Sequence, residues 1–255
     1  MTSSRIGLAL VAIVALAVGG YLAYDNVLRG DNVAPLALPS TVPSSTVASA
    51  SAVASGAGTS ADPSASADSG TAADGSLAGT WSISSGEAGY RVRERLANLP
   101  AESDAVGRTS AVTGAITLDG SGSSVQATSG TISVDTTQIA SDESRRDNRL
   151  RSEGLQTDLF PTASFKLTSP VDIPAAALQG TATDVTLVGD LTLHGVTKSV
   201  KLPAQAQLVN GTISVAGSLA FPLADFNITA PNVGGFILSI ADTGTLEFSA
   251  SFTKG

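Results

Sequence analysis

From Val112 to the C-terminus the chain alternates apolar and polar residues with a period of two over most of its length. Val112, Gly114, Ile116 and Leu118 share one phase. Val185, Leu187, Gly189, Leu191 and Leu193 share another, opposed by Asp184, Thr186, Asp190 and Thr192. The pattern continues through Val200, Leu202, Ala204, Ala206 and Leu208, through Ile213, Val215, Gly217, Leu219 and Phe221, and through Leu246, Phe248, Ala250 and Phe252. Runs of this kind predict antiparallel strands with one buried face. Asn210-Gly211 joins two of the runs, a pairing suited to a two-residue hairpin turn. Many such strands in succession hide their edges by closing into a barrel or stacking as a sandwich.

One segment leaves this pattern. Ser141 to Ser152 (SDESRRDNRLRS) carries acids early and arginines late, which suits a helix dipole, and Ser141 is placed to serve as its N-cap. The spacing predicts a short helix inserted between strands.

Upstream of the strands the pattern changes twice. Ile6 to Tyr24 is uncharged and dominated by Ala, Val and Leu, with Arg5 before it and Asp25 after it. Roughly 19 helical residues nearly span a hydrocarbon core. The charge order places the N-terminus in the cytoplasm and the remainder outside, as a single-pass membrane protein, or as a secreted one if the segment is cleaved. Residues 30–76 are rich in Ala, Ser, Thr, Pro and Gly without a period, and read as a disordered tether. The expected organisation is an anchor or signal segment over 1–29, a linker over 30–76 and a β-barrel domain over 77–255.

Composition narrows the chemistry. A net charge of −8 argues against a general nucleic-acid binder, which needs a basic field. With no cysteine and one histidine, disulfides, thiolate sites and multi-histidine metal centres are excluded, and no cofactor is expected. His194 is the only side chain placed to act as base for a serine or threonine nucleophile, and no nucleophile elbow accompanies it. It falls in the phase of Asp190 and Thr192, opposite the apolar face, where it can bond a neighbouring strand or turn, or meet a ligand headgroup at a cavity mouth. Arg145, Arg146, Arg149 and Arg151 can receive a phosphate or form a solvated helix end. Trp81, the one tryptophan, is expected to close one end of the barrel.

Two stretches resemble the signature regions of the YceI-like lipid/polyisoprenoid-binding family. Arg146, Asp147, Leu150, Pro161 and Phe165 match the first, within RRDNRLRSEGLQTDLFPTASFKLTS. Gly189, Leu191, Thr192, Leu193, His194, Gly195, Val196, Thr197 and Lys198 match the second, within LVGDLTLHGVTKSVKLPAQAQL. The opening stretch GTWSISSGEAGYRVRERL departs from the family pattern, with Val92-Arg93-Glu94 where members show Phe-x-Val-x-His. The resemblance implies an all-β, lipocalin-like antiparallel barrel holding an isoprenoid lipid or quinone in an apolar tunnel, without catalysis. Its expected lining is Val185, Leu187, Gly189, Leu191, Leu193, Leu202, Ala204, Val215, Gly217, Leu219 and Phe248, with Arg146, Arg149 and His194 near the headgroup. The small inward residues either leave room for a chain or relieve crowding in a filled barrel. An enzyme using His194 as acid or base on a bound lipophile, and an envelope module with a filled barrel, stand as the other readings.

Overall fold

The computed structural model describes residues 33–39, 76–97, 102–121, 124–230 and 237–255. The apolar run Ile6–Tyr24 and most of the 30–76 stretch lie outside these residues. Among the described residues no helix is long and apolar enough to cross a membrane.

The strands are β1 (Gly79–Leu96), β2 (Glu102–Thr109), β3 (Val112–Ser121), β4 (Ser124–Asp135), β5 (Thr162–Leu167), β6 (Val171–Ile173), β7 (Thr183–Leu193), β8 (Val196–Val209), β9 (Thr212–Pro222) and β10 (Ile237–Lys254). Pairing runs β10-β9-β8-β7-β5-β4-β3-β1, and β1 returns onto β10, so eight antiparallel strands close on themselves. Closure leaves no long edge among these eight, the usual remedy for one-sided strands. The turns follow their residues. His194 and Gly195 both have positive φ, as do Asn210 and Gly211, and each pair makes a two-residue hairpin of the kind that matches strand twist.

The barrel is split at one end. Gly79–Ser82 of β1 pair with β3, but Ala88–Arg95 pair with β2 instead. Between this upper part and β4–β5 runs the connection that carries helix α1 (Ser144–Arg149), which widens into a π-helical turn at Leu150–Gly154. The helix starts later than the sequence suggests. Glu143, not Ser141, caps it by accepting from the Arg145 amide. Ser141 is occupied elsewhere, since its amide and hydroxyl both donate to Asp147, at 3.0 and 2.7 Å. A shorter helix, α2 (Ala175–Leu178), follows β6.

Two apolar clusters fill the ends. Trp81, Leu118, Val125, Ile213, Ala250 and Phe252 pack at one end, and Trp81 Nε1 donates to the Leu77 carbonyl at 2.9 Å. Leu191, Leu193, Phe221, Leu223 and Phe226 form the other cluster.

Residues 33–39 fall in the stretch read as tether, yet they lie across the outside of β1, β2, β10, β9 and β8. Arg91 Nη2 donates to the Val33 carbonyl at 2.7 Å, and Arg108 Nη2 donates to the Ala34 carbonyl. The Leu36 amide donates to Glu247 at 3.3 Å, Ser249 Oγ to the Ala37 carbonyl at 3.1 Å, and Gln207 Nε2 to the Pro39 carbonyl at 3.2 Å. Strand phase explains the consequence. Gln207, Ser214, Ala216 and Glu247 belong to the outward phase but are buried.

Candidate functional site

Inside the barrel is a cavity of about 620 Å³, within the range typical of small-molecule sites. Leucines of β7 and β8 (Leu187, Leu191, Leu193, Leu202) form part of its wall, together with Phe221, Leu246 and Phe248. A second, smaller chamber of about 80 Å³ continues toward β6 and α2. Ile132, Phe165, Leu187 and Phe248 border both chambers and so form the constriction between them.

Of the lining expected from sequence, Leu187, Leu191, Leu193, Leu202 and Phe248 border the large chamber, while Val185 and Val215 border only the small one. Gly189, Ala204, Gly217 and Leu219 border neither chamber. The two glycines do not open space. A Cβ at Gly189 would sit 2.5 Å from Phe165 Cζ and 2.4 Å from the Lys166 carbonyl. A Cβ at Gly217 would sit 2.9 Å from Phe248 Cε1 and 2.6 Å from the Pro203 carbonyl. Each glycine is the floor under an aromatic ring, and the two rings make the constriction.

The polar groups gather at the split end. Arg145, Arg146 and Arg149 from α1 reach the cavity wall with Tyr90 and Glu94 from β1. Glu94 points inward, its side chain only 4% exposed, and accepts from Arg146 Nη2 at 2.8 Å. Arg146 Nη1 donates to Asp142 and, at 3.3 Å, to Ser141 Oγ. Burial works to lower the Arg146 pKa, but the charges of Glu94 and Asp142 outweigh it, and the guanidinium is held above its ordinary value. Tyr90 is pushed up to about 12, chiefly by burial, with Asp147, Glu94 and Asp142 adding to the rise and Arg146 opposing it. Tyr90 Oη and Arg146 Nε are buried without a hydrogen-bond partner. Leaving such a group unsatisfied costs about 1–3 kcal/mol.

His194 is placed differently. Its ring lies edge-on to Phe160, 4.6 Å between centroids, and Nδ1 is 3.0 Å from the Phe226 carbonyl. It does not border the cavity. The tight β7–β8 turn sends it outward, so of the three expected headgroup residues only Arg146 and Arg149 reach the site.

Tyr90 and Glu94 were not singled out from the sequence, although a signal for them exists. Tyr90, Val92, Glu94 and Leu96 form one phase of β1 against Arg91, Arg93 and Arg95. A glutamate in the apolar phase marks a buried charge, which requires a partner. Among the described residues no group of three or more His, Cys, Asp or Glu is arranged to hold a metal ion.

A closed antiparallel barrel around an apolar cavity, with a helix and a polar cluster at its split end, defines the class of barrel-type small-molecule binding domains. Within that class the chain belongs to the YceI-like domain family, whose model matches residues 81–252. A UPF0312 protein of Vibrio parahaemolyticus is 32% identical over 111 residues, covering 41% of this chain and 55% of that protein. Protein YceI of Escherichia coli is 36% identical over 75 residues, 29% of this chain and 35% of that one. The chain thus spans about half the length, or less, of these two relatives. Among solved structures, a polyisoprenoid binding domain from Saccharophagus degradans shares the fold, with a TM-score of 0.53 at 17% identity, covering 69% of this chain and 98% of that one.

Proposed function

We propose that the domain binds a long-chain isoprenoid lipid or quinone in its cavity, outside the cytoplasm, and that the Ile6–Tyr24 run tethers it to the membrane. The observation that carries the reading is the apolar cavity inside the closed barrel. Each buried CH₂ contributes about 0.8 kcal/mol, so a prenyl chain gains affinity from the walls alone. Family membership and the shared fold with a polyisoprenoid binding domain support the same reading. A filled-barrel module fits the cavity poorly. An enzyme using His194 as acid or base fits no better, because that ring faces the Phe226 carbonyl.

The test is native mass spectrometry of the full chain purified from its host membrane fraction, followed by solvent extraction. The expected result is a protein carrying one non-covalent lipid whose extract contains a prenyl chain. Protein without lipid, which also fails to take up any prenyl lipid or quinone added to it, overturns the reading.

A further inference from the structure

We infer that the split end of the barrel holds an uncharged, hydrogen-bond-accepting headgroup, such as a carbonyl, and discriminates against a diphosphate. This rests on the lipid-binding reading above and adds to it the polarity and direction of the ligand. The polar end lies at Tyr90, Glu94 and Arg146, and the chain runs toward Phe165 and Phe248.

The first ground is charge. Around the cavity stand three arginines (Arg145, Arg146, Arg149) and three carboxylates (Glu94, Asp142, Glu143), formally neutral, since the Glu247 carboxylate turns outward to Arg91 and Arg108. Arg146 is committed on both terminal nitrogens, to Glu94 through Nη2 and to Asp142 and Ser141 through Nη1. A diphosphate would have to compete with Glu94 for that guanidinium while lying beside a buried carboxylate that repels it. Arginines set in order to receive phosphate present a bidentate fork, and the fork of Arg146, the arginine that reaches Glu94, is already taken.

The second ground is the two donors left over. Tyr90 Oη and Arg146 Nε are buried and unpartnered on residues that both border the cavity. Buried donors in proteins are nearly always satisfied, and an exception calls for a partner. With its pKa at about 12, Tyr90 stays a protonated phenol and offers its proton at any physiological pH. Two donors call for an acceptor, and a neutral acceptor satisfies them without meeting the Glu94 charge.

The third ground is the contrast along the barrel. The walls of the second chamber, beyond Phe165 and Phe248, are formed almost wholly by apolar side chains, so a polar end there would lose its hydration without compensation.

The experiment uses the full chain in detergent and three probes sharing a geranylgeranyl chain: geranylgeranylacetone (a ketone), geranylgeranyl diphosphate, and the corresponding hydrocarbon without a polar group. Affinities are measured by displacement of a fluorescent fatty-chain reporter. The ketone is expected to bind about tenfold more tightly than the hydrocarbon, the factor a net hydrogen bond supplies, and more tightly than the diphosphate. In Tyr90→Phe the ratio of ketone to hydrocarbon affinity is expected to fall toward one. The conservative change keeps the ring in place, and circular dichroism checks the fold. Equal affinity for ketone and hydrocarbon, or tighter binding of the diphosphate, overturns this inference while leaving the lipid-binding function standing. Retention of the wild-type ratio in Tyr90→Phe also overturns it. Failure of all three probes to bind overturns both.

Discussion

Tyr90 shows how one inward position concentrates the chemistry of the site. Its ring lies against Gly107, where an added Cβ would come within 2.4 Å of Tyr90 Cε1, and Ile139 closes the same spot. Burial raises its pKa to about 12 from the ordinary 10.0 of a tyrosine. The unfolded chain loses this proton near pH 10 and the folded chain retains it until about 12, so the contribution is complete below pH 10 and is lost as pH rises through 12. In a chain with Tyr21 and Tyr24 changed to Phe, an ultraviolet titration should find phenolate appearing near pH 12 in the folded protein and near pH 10 in denaturant. Folded-state ionisation at pH 10 would contradict the burial argument. What the sequence conveyed at this scale was phase: the outward side of His194 follows from parity. Glu94 and Arg146 could not be paired from periodicity, because they stand 52 residues apart. Gly189 and Gly217 suggested open space, and alternation holds no information about which ring lies over a glycine.

At the scale of elements, the strands and the Asn210-Gly211 turn were legible because each is set by local phase and turn chemistry. The start of α1 was not. Ser141 and Glu143 can both cap, and the choice falls to Asp147, six residues from Ser141, which draws the serine away. Residues 33–39 were invisible for a different reason. They bind mainly through main-chain carbonyls, which every sequence has, and the recognising groups are the barrel's own Arg91, Arg108, Gln207 and Ser249. Glu247 ties this contact together. Its side chain is 4% exposed and pairs with Arg91 at 2.8 Å and Arg108 at 3.4 Å, while it accepts from the Leu36 amide. Glu247→Ala leaves two part-buried guanidiniums without that partner. The expected cost is about 3 kcal/mol in denaturant unfolding, the lower end for breaking a buried pair, since Arg91 retains Asp104. Hydrogen exchange at the Leu36 amide should accelerate in the same variant. Unchanged exchange would mean that the Leu36 contact with Glu247 does not hold the segment in solution.

For the molecule as a whole, the alternation of strands foretold a one-sided sheet that must close or stack, and the resemblance to the YceI-like family decided for the closed barrel. It did not foretell that the interior is two chambers, because the division depends on two aromatic rings turned across the barrel. Phe248 borders both chambers, with its ring against Gly217. On the proposed lipid-binding reading the division sets a length limit: a chain entering from the split end is expected to fill the space of about 620 Å³ and stop at the rings, short of the further 80 Å³. Phe248→Ala removes one ring and joins the chambers. Prenyl affinity is then expected to reach its plateau at a longer chain, each further buried CH₂ adding about 0.8 kcal/mol, or roughly fourfold. Truncation of a fully buried Phe costs about 3–5 kcal/mol of stability, and the cost here is expected to be no more than the lower figure because Phe248 is half-buried and borders open space in both chambers. Phe248→Leu, which keeps more of the packing, serves as the second variant and should shift the plateau in the same direction by less. The measurement is a series of prenyl ketones of increasing length against wild type and both variants, with folding checked by near-ultraviolet circular dichroism. A plateau that stays at the wild-type length in folded variants would show that Phe248 does not set the limit, and would leave Phe165, over Gly189, as the remaining ring at the constriction.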